Sequence, residues 1–154
     1  MIELVFEAEI DCTAEKVFEL IRDLCGQDRW LTHSVWFRGT TEISSNPATL
    51  GTTYREPSPF GVRNGVVTEF DPPTTITFHQ PTTSRLGFGT IDAVVRYTLA
   101  PRAGSTRVRR TLTLGFPWYL KPLQPVLLRA FRGENARTLR ALTVKAETGP
   151  RTRA

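Results

Sequence analysis

Between Pro125 and Pro150 the chain runs without a proline, and its apolar residues Leu127, Leu128, Phe131, Leu139 and Leu142 fall three or four apart or in multiples of that step. That spacing lines one face of an α-helix. Proline removes a backbone donor and clashes with the preceding turn, so the two prolines bracket the helix. A helix of about 22 residues, rising roughly 1.5 Å per residue, would span about 33 Å. Upstream the pattern is mostly of period two, which is that of strands. One helix cannot cover a large flat sheet. The pattern therefore predicts a sheet that curls around the helix and leaves space between the two layers.

The strand signal is cleanest at the start. Ile2, Leu4, Phe6, Ala8 and Ile10 alternate with Glu3, Val5, Glu7 and Glu9, the mark of a half-buried strand. Asp11 or Thr13 then offers an N-cap for a short helix that carries Val17, Phe18, Leu20, Ile21 and Leu24, with Gly26 as its stop. A second short turn carries Asp28, Trp30 and Leu31. Strands are predicted over 34–43, 51–56, 62–70, 74–80, 90–99 and 106–116. In the first of these, Val35, Phe37 and Ile43 share one face, and Trp36, Arg38 and Glu42 the other. Turns fall at Asn46-Pro47, 57–61, Asp71-Pro72-Pro73 and 101–104, and a polar loop with glycines covers 82–89. Connections this short make neighbouring strands antiparallel. The fold class is therefore α+β: a strongly curved antiparallel sheet of about seven strands, two short helices after the first strand, and a long C-terminal helix from about Lys121 to Ala146.

At 154 residues, one domain over 1–146 is expected, with 147–154 as a basic flexible tail. A hydrophobic content of 40% with 23% charged residues argues against both a disordered chain and a membrane protein. The net charge of +5 is concentrated late, in Arg102, Arg107, Arg109, Arg110, Arg129, Arg132, Arg137, Arg140 and Lys145. These lie among acidic and apolar residues and not in a run. They read as a solvated face capable of weak contact with an anionic surface, with no nucleic acid as partner. Cys12 and Cys25 lack companions at zinc-ligand spacing and are expected as free thiols. The N-terminus shows neither a basic leader nor a long apolar run, so a cytoplasmic protein without a membrane span is expected.

Chemistry-bearing residues are few. His33 and His79 are the only histidines, and nothing beside either in sequence supplies a proton-transfer partner. There is no Ser/His/Asp set, no metal cluster and no cofactor motif; Gly87-Phe88-Gly89 lacks the spacing of a phosphate loop. More telling are polar residues on apolar faces. Gln124 and Asn135 share a helical stripe with Leu120, Leu127, Leu128, Phe131, Leu139 and Leu142, and Arg110 shares a strand phase with Val108, Leu112, Leu114 and Phe116. Two readings stay open. Asn135 and Arg110 are polar points on a cavity wall that orient a ligand, or Asn135 or Glu134 ties the helix to a loop or to Arg110. Phe60 and Phe88 sit beside glycines in loops, where a cavity mouth could open.

Trp30, the strand start Gly51-Thr52-Thr53-Tyr54, the corner Val67-Thr68-Glu69-Phe70-Asp71-Pro72-Pro73 and the turn Tyr97-Thr98-Leu99-Ala100-Pro101 before Gly104-Ser105-Thr106-Arg107-Val108 carry a family likeness. From Ile2 to about Ala146 the chain resembles the START-like (SRPBCC) superfamily, and within it the bacterial polyketide cyclase/dehydrase and lipid-transport group. The resemblance implies a helix-grip fold with a hydrophobic cavity. It also implies a lipid-like, sterol-like or polyketide-like ligand, with aromatic ring cyclisation in some members. On this basis the expected ligand wall comprises Trp30, Tyr54, Phe60, Phe78, Phe88, Tyr97, Arg110, Phe116, Gln124, Leu127, Phe131 and Asn135. Binding of a small hydrophobic or amphipathic ligand by a monomer or homodimer is the leading expectation, with no cofactor. A cyclase/dehydrase-type enzyme, its catalytic residues unknown, is the rival. A membrane-surface or protein-interaction module acting through Pro117-Trp118-Tyr119-Leu120-Lys121 is the third reading.

Overall fold

The computed structural model describes residues 1–34 and 36–148. In order along the chain these form β1 (Ile2–Ile10), α1 (Ala14–Arg22), a 3-10 turn (Gln27–Arg29), β2 (Thr53–Pro57), β3 (Gly61–Asp71), β4 (Thr75–His79), β5 (Thr82–Ser84), β6 (Thr90–Arg102) and β7 (Ser105–Gly115). A 3-10 segment (Trp118–Leu123) and α2 (Gln124–Thr148) complete the chain.

Local chemistry sets several of these boundaries. Thr13 caps α1, its hydroxyl accepting from the Lys16 N–H at 3.3 Å. Past the other end, the Asp23 carboxylate accepts the Gly26 N–H at 3.1 Å. The long β6–β7 hairpin turns at Gly104, whose φ of +77° suits a residue without a side chain.

All strand pairs are antiparallel, in the order β1-β7-β6-β4-β3-β2, with β5 bridging β3 and β6. One face of the sheet buries Leu4, Val67, Ile76, Phe78, Val95, Tyr97, Val108, Leu112 and Leu114. Against it lies α2, anchored by its later half: Leu139, Leu142 and Ala146 are buried in one cluster with Val17 and Phe18 of α1. Each such leucine contributes about 1.5–3 kcal/mol through burial. Leu127, Leu128 and Phe131, nearer the start of α2, are only partly covered. The helix is thus clamped over its second half, and space remains under its middle.

Three expectations are corrected. The described residues of 34–43 form no strand and meet the sheet through a bridge between Thr41 and Arg55 and through side-chain bonds such as that of Thr40 to Glu56. Ser34 is a reason: its hydroxyl accepts from the N–H groups of Trp36 and Phe37, which diverts two donors from any ladder. Gly39 (φ +98°) and Glu42 (φ +51°) then take left-handed conformations that no extended strand contains. Conversely, the expected loop 82–89 begins with a strand, β5. The strand comes so close to β3 that a Cβ on Gly61 would lie 2.2 Å from the Thr83 carbonyl oxygen. Finally, α2 begins at Gln124 after a 3-10 lead-in and continues through Thr148, so Glu147 and Thr148 are helical and not tail. The expected placements of Val35 and of 149–154 lie outside the described residues.

Candidate functional site

Between the sheet and α2 lies a cavity of about 70 Å³, or about 1020 Å³ when all the space out to open solvent is counted. Its floor is built by register. Tyr54 of β2, Phe78 of β4 and Tyr97 of β6 point to the same side and meet edge to face, with ring centroids 6.0 and 6.4 Å apart. Tyr54 can lie flat because its cross-strand partner is Gly65, where a Cβ would come within 2.1 Å of the ring. Next along, Tyr97 pairs with Arg110 of β7, and the Arg110 Cζ stands 5.0 Å from the tyrosine ring centroid. The helix side is Phe131, Glu134, Asn135 and Thr138. Trp30, Trp36 and Phe60 close the rim, the last two with centroids 4.4 Å apart.

The wall carries few polar groups, and most are paired. Glu56, only 4% exposed, accepts from the Thr40 hydroxyl at 2.8 Å and lies 3.7 Å from the Arg63 guanidinium. Glu134 takes a 2.6 Å bond from Arg137 and a weaker one from Ser34. Gln80 donates to the Tyr54 hydroxyl at 2.5 Å. Burial, then the nearby Glu56 charge, drives the Tyr54 phenol far above its ordinary range, so it is neutral at any pH the fold tolerates. Arg110 is 8% exposed; its Nε donates to Asn135 Oδ1 at 2.8 Å and its Nη1 to the Tyr97 hydroxyl. Asn135 Nδ2 in turn donates to the Phe131 carbonyl at 2.7 Å. The Trp30 indole N–H is buried with no acceptor, at a cost of about 1–3 kcal/mol if left so.

Of the expected wall residues, Trp30, Tyr54, Phe60, Phe78, Tyr97, Arg110, Phe131 and Asn135 face this space. The other four do not. Phe116 stands behind Phe131, centroids 6.2 Å apart. Gln124 and Leu127 lie before the cavity on α2, and Phe88 is 41% exposed in the β5–β6 loop. Sequence reasoning did not find Trp36, Glu56, Arg63, Gln80 or Thr138. Trp36 was hidden by the false strand over 34–43, whereas Thr138, three residues after Asn135, had a helical-stripe signal.

Both histidines do find carboxylates, contrary to expectation. His79 Nε2 is 2.6 Å from Asp92 Oδ1, a diagonal neighbour on β6, and His33 Nε2 is 3.2 Å from Asp28. Neither pair lines the cavity, although the His33 ring meets Phe37 of its wall, centroids 5.8 Å apart. Among the described residues, no group of three or more His, Cys, Asp or Glu could hold a metal ion, and no helix is long and apolar enough to cross a membrane.

A seven-stranded antiparallel sheet gripping one long helix over an aromatic-walled space defines a helix-grip α+β protein. The chain belongs to the polyketide cyclase/dehydrase and lipid transport family, whose model matches residues 1–147. Among solved structures, it is similar to the Aha1 dimer from Colwellia psychrerythraea at 17% identity and TM-score 0.69, covering 97% of this chain and 99% of that one. It is also similar to the Mll3558 protein from Rhizobium loti at 15% identity and TM-score 0.74, covering 94% and 96%. A third likeness is norcoclaurine synthase from Thalictrum flavum in complex with a transition-state analogue, at 13% identity and TM-score 0.72, covering 94% and 93%. At these identities the likeness is one of fold. No curated protein sequence matches the chain significantly.

Proposed function

We propose that the protein binds a small hydrophobic or amphipathic ligand between its sheet and α2. The observation that carries this reading is the wall itself: the rings of Tyr54, Phe78, Tyr97, Trp36, Phe60 and Phe131 stand around buried polar groups, Arg110 with Asn135 among them. Ligand sites have this composition, apolar surface for affinity and a few polar groups for orientation. The family's description, which includes lipid transport, agrees. An apolar ligand that buries roughly 300 Å² would gain about 7 kcal/mol before association costs. At about 70 Å³ the pocket as it stands has room for only a few waters. Binding of such a ligand therefore requires the pocket to widen.

The fold also accommodates catalysis, as its likeness to norcoclaurine synthase illustrates. In this chain both wall carboxylates, Glu56 and Glu134, are engaged by arginines and hydroxyls, so binding is the favoured reading. A surface reading has its own support. Trp118 is 85% exposed beside exposed Tyr119, Leu123 and Val126, and exposed Lys121 and Arg129 interleave with them. Such a patch suits weak contact with anionic lipid.

Native mass spectrometry of the purified protein, with solvent extraction of whatever accompanies it, tests the leading reading. A bound hydrophobic molecule that leaves on extraction is expected. Sedimentation with vesicles of anionic phospholipid, at low and high salt, tests the surface reading. Pull-down by vesicles with no small molecule bound in the interior would reverse the order of the two.

A further inference from the structure

Among the described residues, one charge on the cavity wall has no ion-pair partner. Four charged side chains face it: Glu56, Arg63, Glu134 and Arg110. Glu56 is matched by Arg63, and Glu134 by Arg137 from the next turn of α2. Arg110 is left over. Among the described residues no carboxylate lies within 4.0 Å of it, and its bonding partners, the Asn135 amide oxygen and the Tyr97 hydroxyl, are both neutral. A guanidinium stays charged at any pH the fold survives, so the site holds a buried, uncompensated positive charge. It has five N–H donors, and Asn135 and Tyr97 engage two of its nitrogens. On the same wall, the buried Trp30 indole N–H lacks an acceptor. With Arg137 counted, three guanidiniums and two carboxylates of the described residues surround the site, and Arg110 and the Trp30 N–H are left without an anionic partner and an acceptor respectively.

We propose that the ligand is an amphipathic acid, whose carboxylate or similarly anionic oxygen group is held inside at Arg110 while its apolar body lies against Tyr54, Phe78 and Phe131. The inference rests on the cavity being the binding site and adds the charge of what enters it. An anion there supplies the missing counter-charge to Arg110, and its second oxygen is an acceptor of the kind the wall lacks. A neutral lipid or alcohol would leave the guanidinium unmatched. Such a ligand enters head first, with its charge buried and its tail toward the aromatic rim.

Titration calorimetry at neutral pH with 4-phenylbutyrate and 4-phenylbutan-1-ol isolates the charge, because the two share one apolar body. Wild-type protein should bind the acid at least about tenfold more tightly than the alcohol. Asn135→Asp keeps the size and the acceptor but gives Arg110 its own carboxylate, and should bring that ratio to about one. Arg110→Gln should do the same, with circular dichroism reporting that the variant folds. If wild type binds alcohol as tightly as acid, the cavity reading survives and the acid inference is wrong. A preference for the acid that persists undiminished in both variants would also overturn it, by placing the anion elsewhere. Binding of neither compound sinks both readings.

Discussion

At the scale of single residues, the link between Arg110 and Asn135 joins the sheet to α2 and decides how the site behaves. Asn135 is 5% exposed, accepts from Arg110 at 2.8 Å and donates to the Phe131 carbonyl at 2.7 Å, so both ends of its amide are engaged. Removing it leaves a buried guanidinium with one acceptor fewer. Asn135→Ala should lower stability by about 1.5–3 kcal/mol, the range for a hydrogen bond to a charged group, as read from urea unfolding. If Arg110→Met is then added, the second change should cost much less than it does alone, because the orphaned charge leaves with it. Strict additivity in that cycle would show that the two side chains are independent. The sequence placed both residues on inward faces by period alone. It left open whether Asn135 ties the helix to Arg110 or faces a ligand, because β7 and α2 are brought together by the whole sheet and not by any local signal; the 2.8 Å bond shows that the two meet.

At the scale of elements, β1 and β7 show how surface charge was easier to foresee than loop structure. The alternation of Glu3, Glu7 and Glu9 with apolar residues marked the outer face of β1, and the arginines of β7 answer it. Arg107 Nη2 and Arg109 Nε both donate to Glu7, at 2.9 and 2.8 Å. These bonds, Arg107 ahead of Arg109, hold the Glu7 carboxyl below its usual 4.5. A depressed carboxylate stabilises the fold above the unfolded value and ceases to do so as pH falls through the folded one. The pair's contribution should therefore be present above about pH 4.5 and fade below it. Melting temperatures from pH 3 to 7 should show a shallower acid limb for Glu7→Gln than for wild type, and added salt should narrow the gap. Equal acid limbs at low salt would mean that this exposed pair does nothing measurable. The 34–43 segment illustrates the opposite limit. Its alternation of apolar and polar residues was real, yet Ser34, Gly39 and Glu42 impose turn conformations that periodicity does not register. The strand count came out near seven only because β5 took the place of the segment that failed.

For the molecule as a whole, the sequence supplied the architecture and not the aperture. Strand periodicity, turn residues and the proline-free run dictated a sheet around a helix, and Leu139 and Leu142 pack at its closed end as their spacing required. What surrounds the opening depends on side chains from four separate segments. The Phe131 ring has its centroid 6.0 Å from Trp36 and 6.2 Å from Phe116, and Trp36 meets Phe60 at 4.4 Å. Trp36, Phe60 and Phe131 line the pocket, which offers about 70 Å³ as it stands. If they act as the gate, truncating Phe131, which spans from α2 to both neighbours, should widen the space at a tolerable loss of stability. Phe131→Ala should be destabilised by about 2–3 kcal/mol, less than a fully buried phenylalanine, because the ring is partly exposed. The fluorescent probe 1-aminoanthracene is too large for the pocket as it stands and should bind this variant at least about fivefold more tightly than wild type, with faster association in stopped flow. Weaker binding with unchanged association kinetics would mean that Phe131 is part of the contact surface and that entry lies elsewhere on the rim.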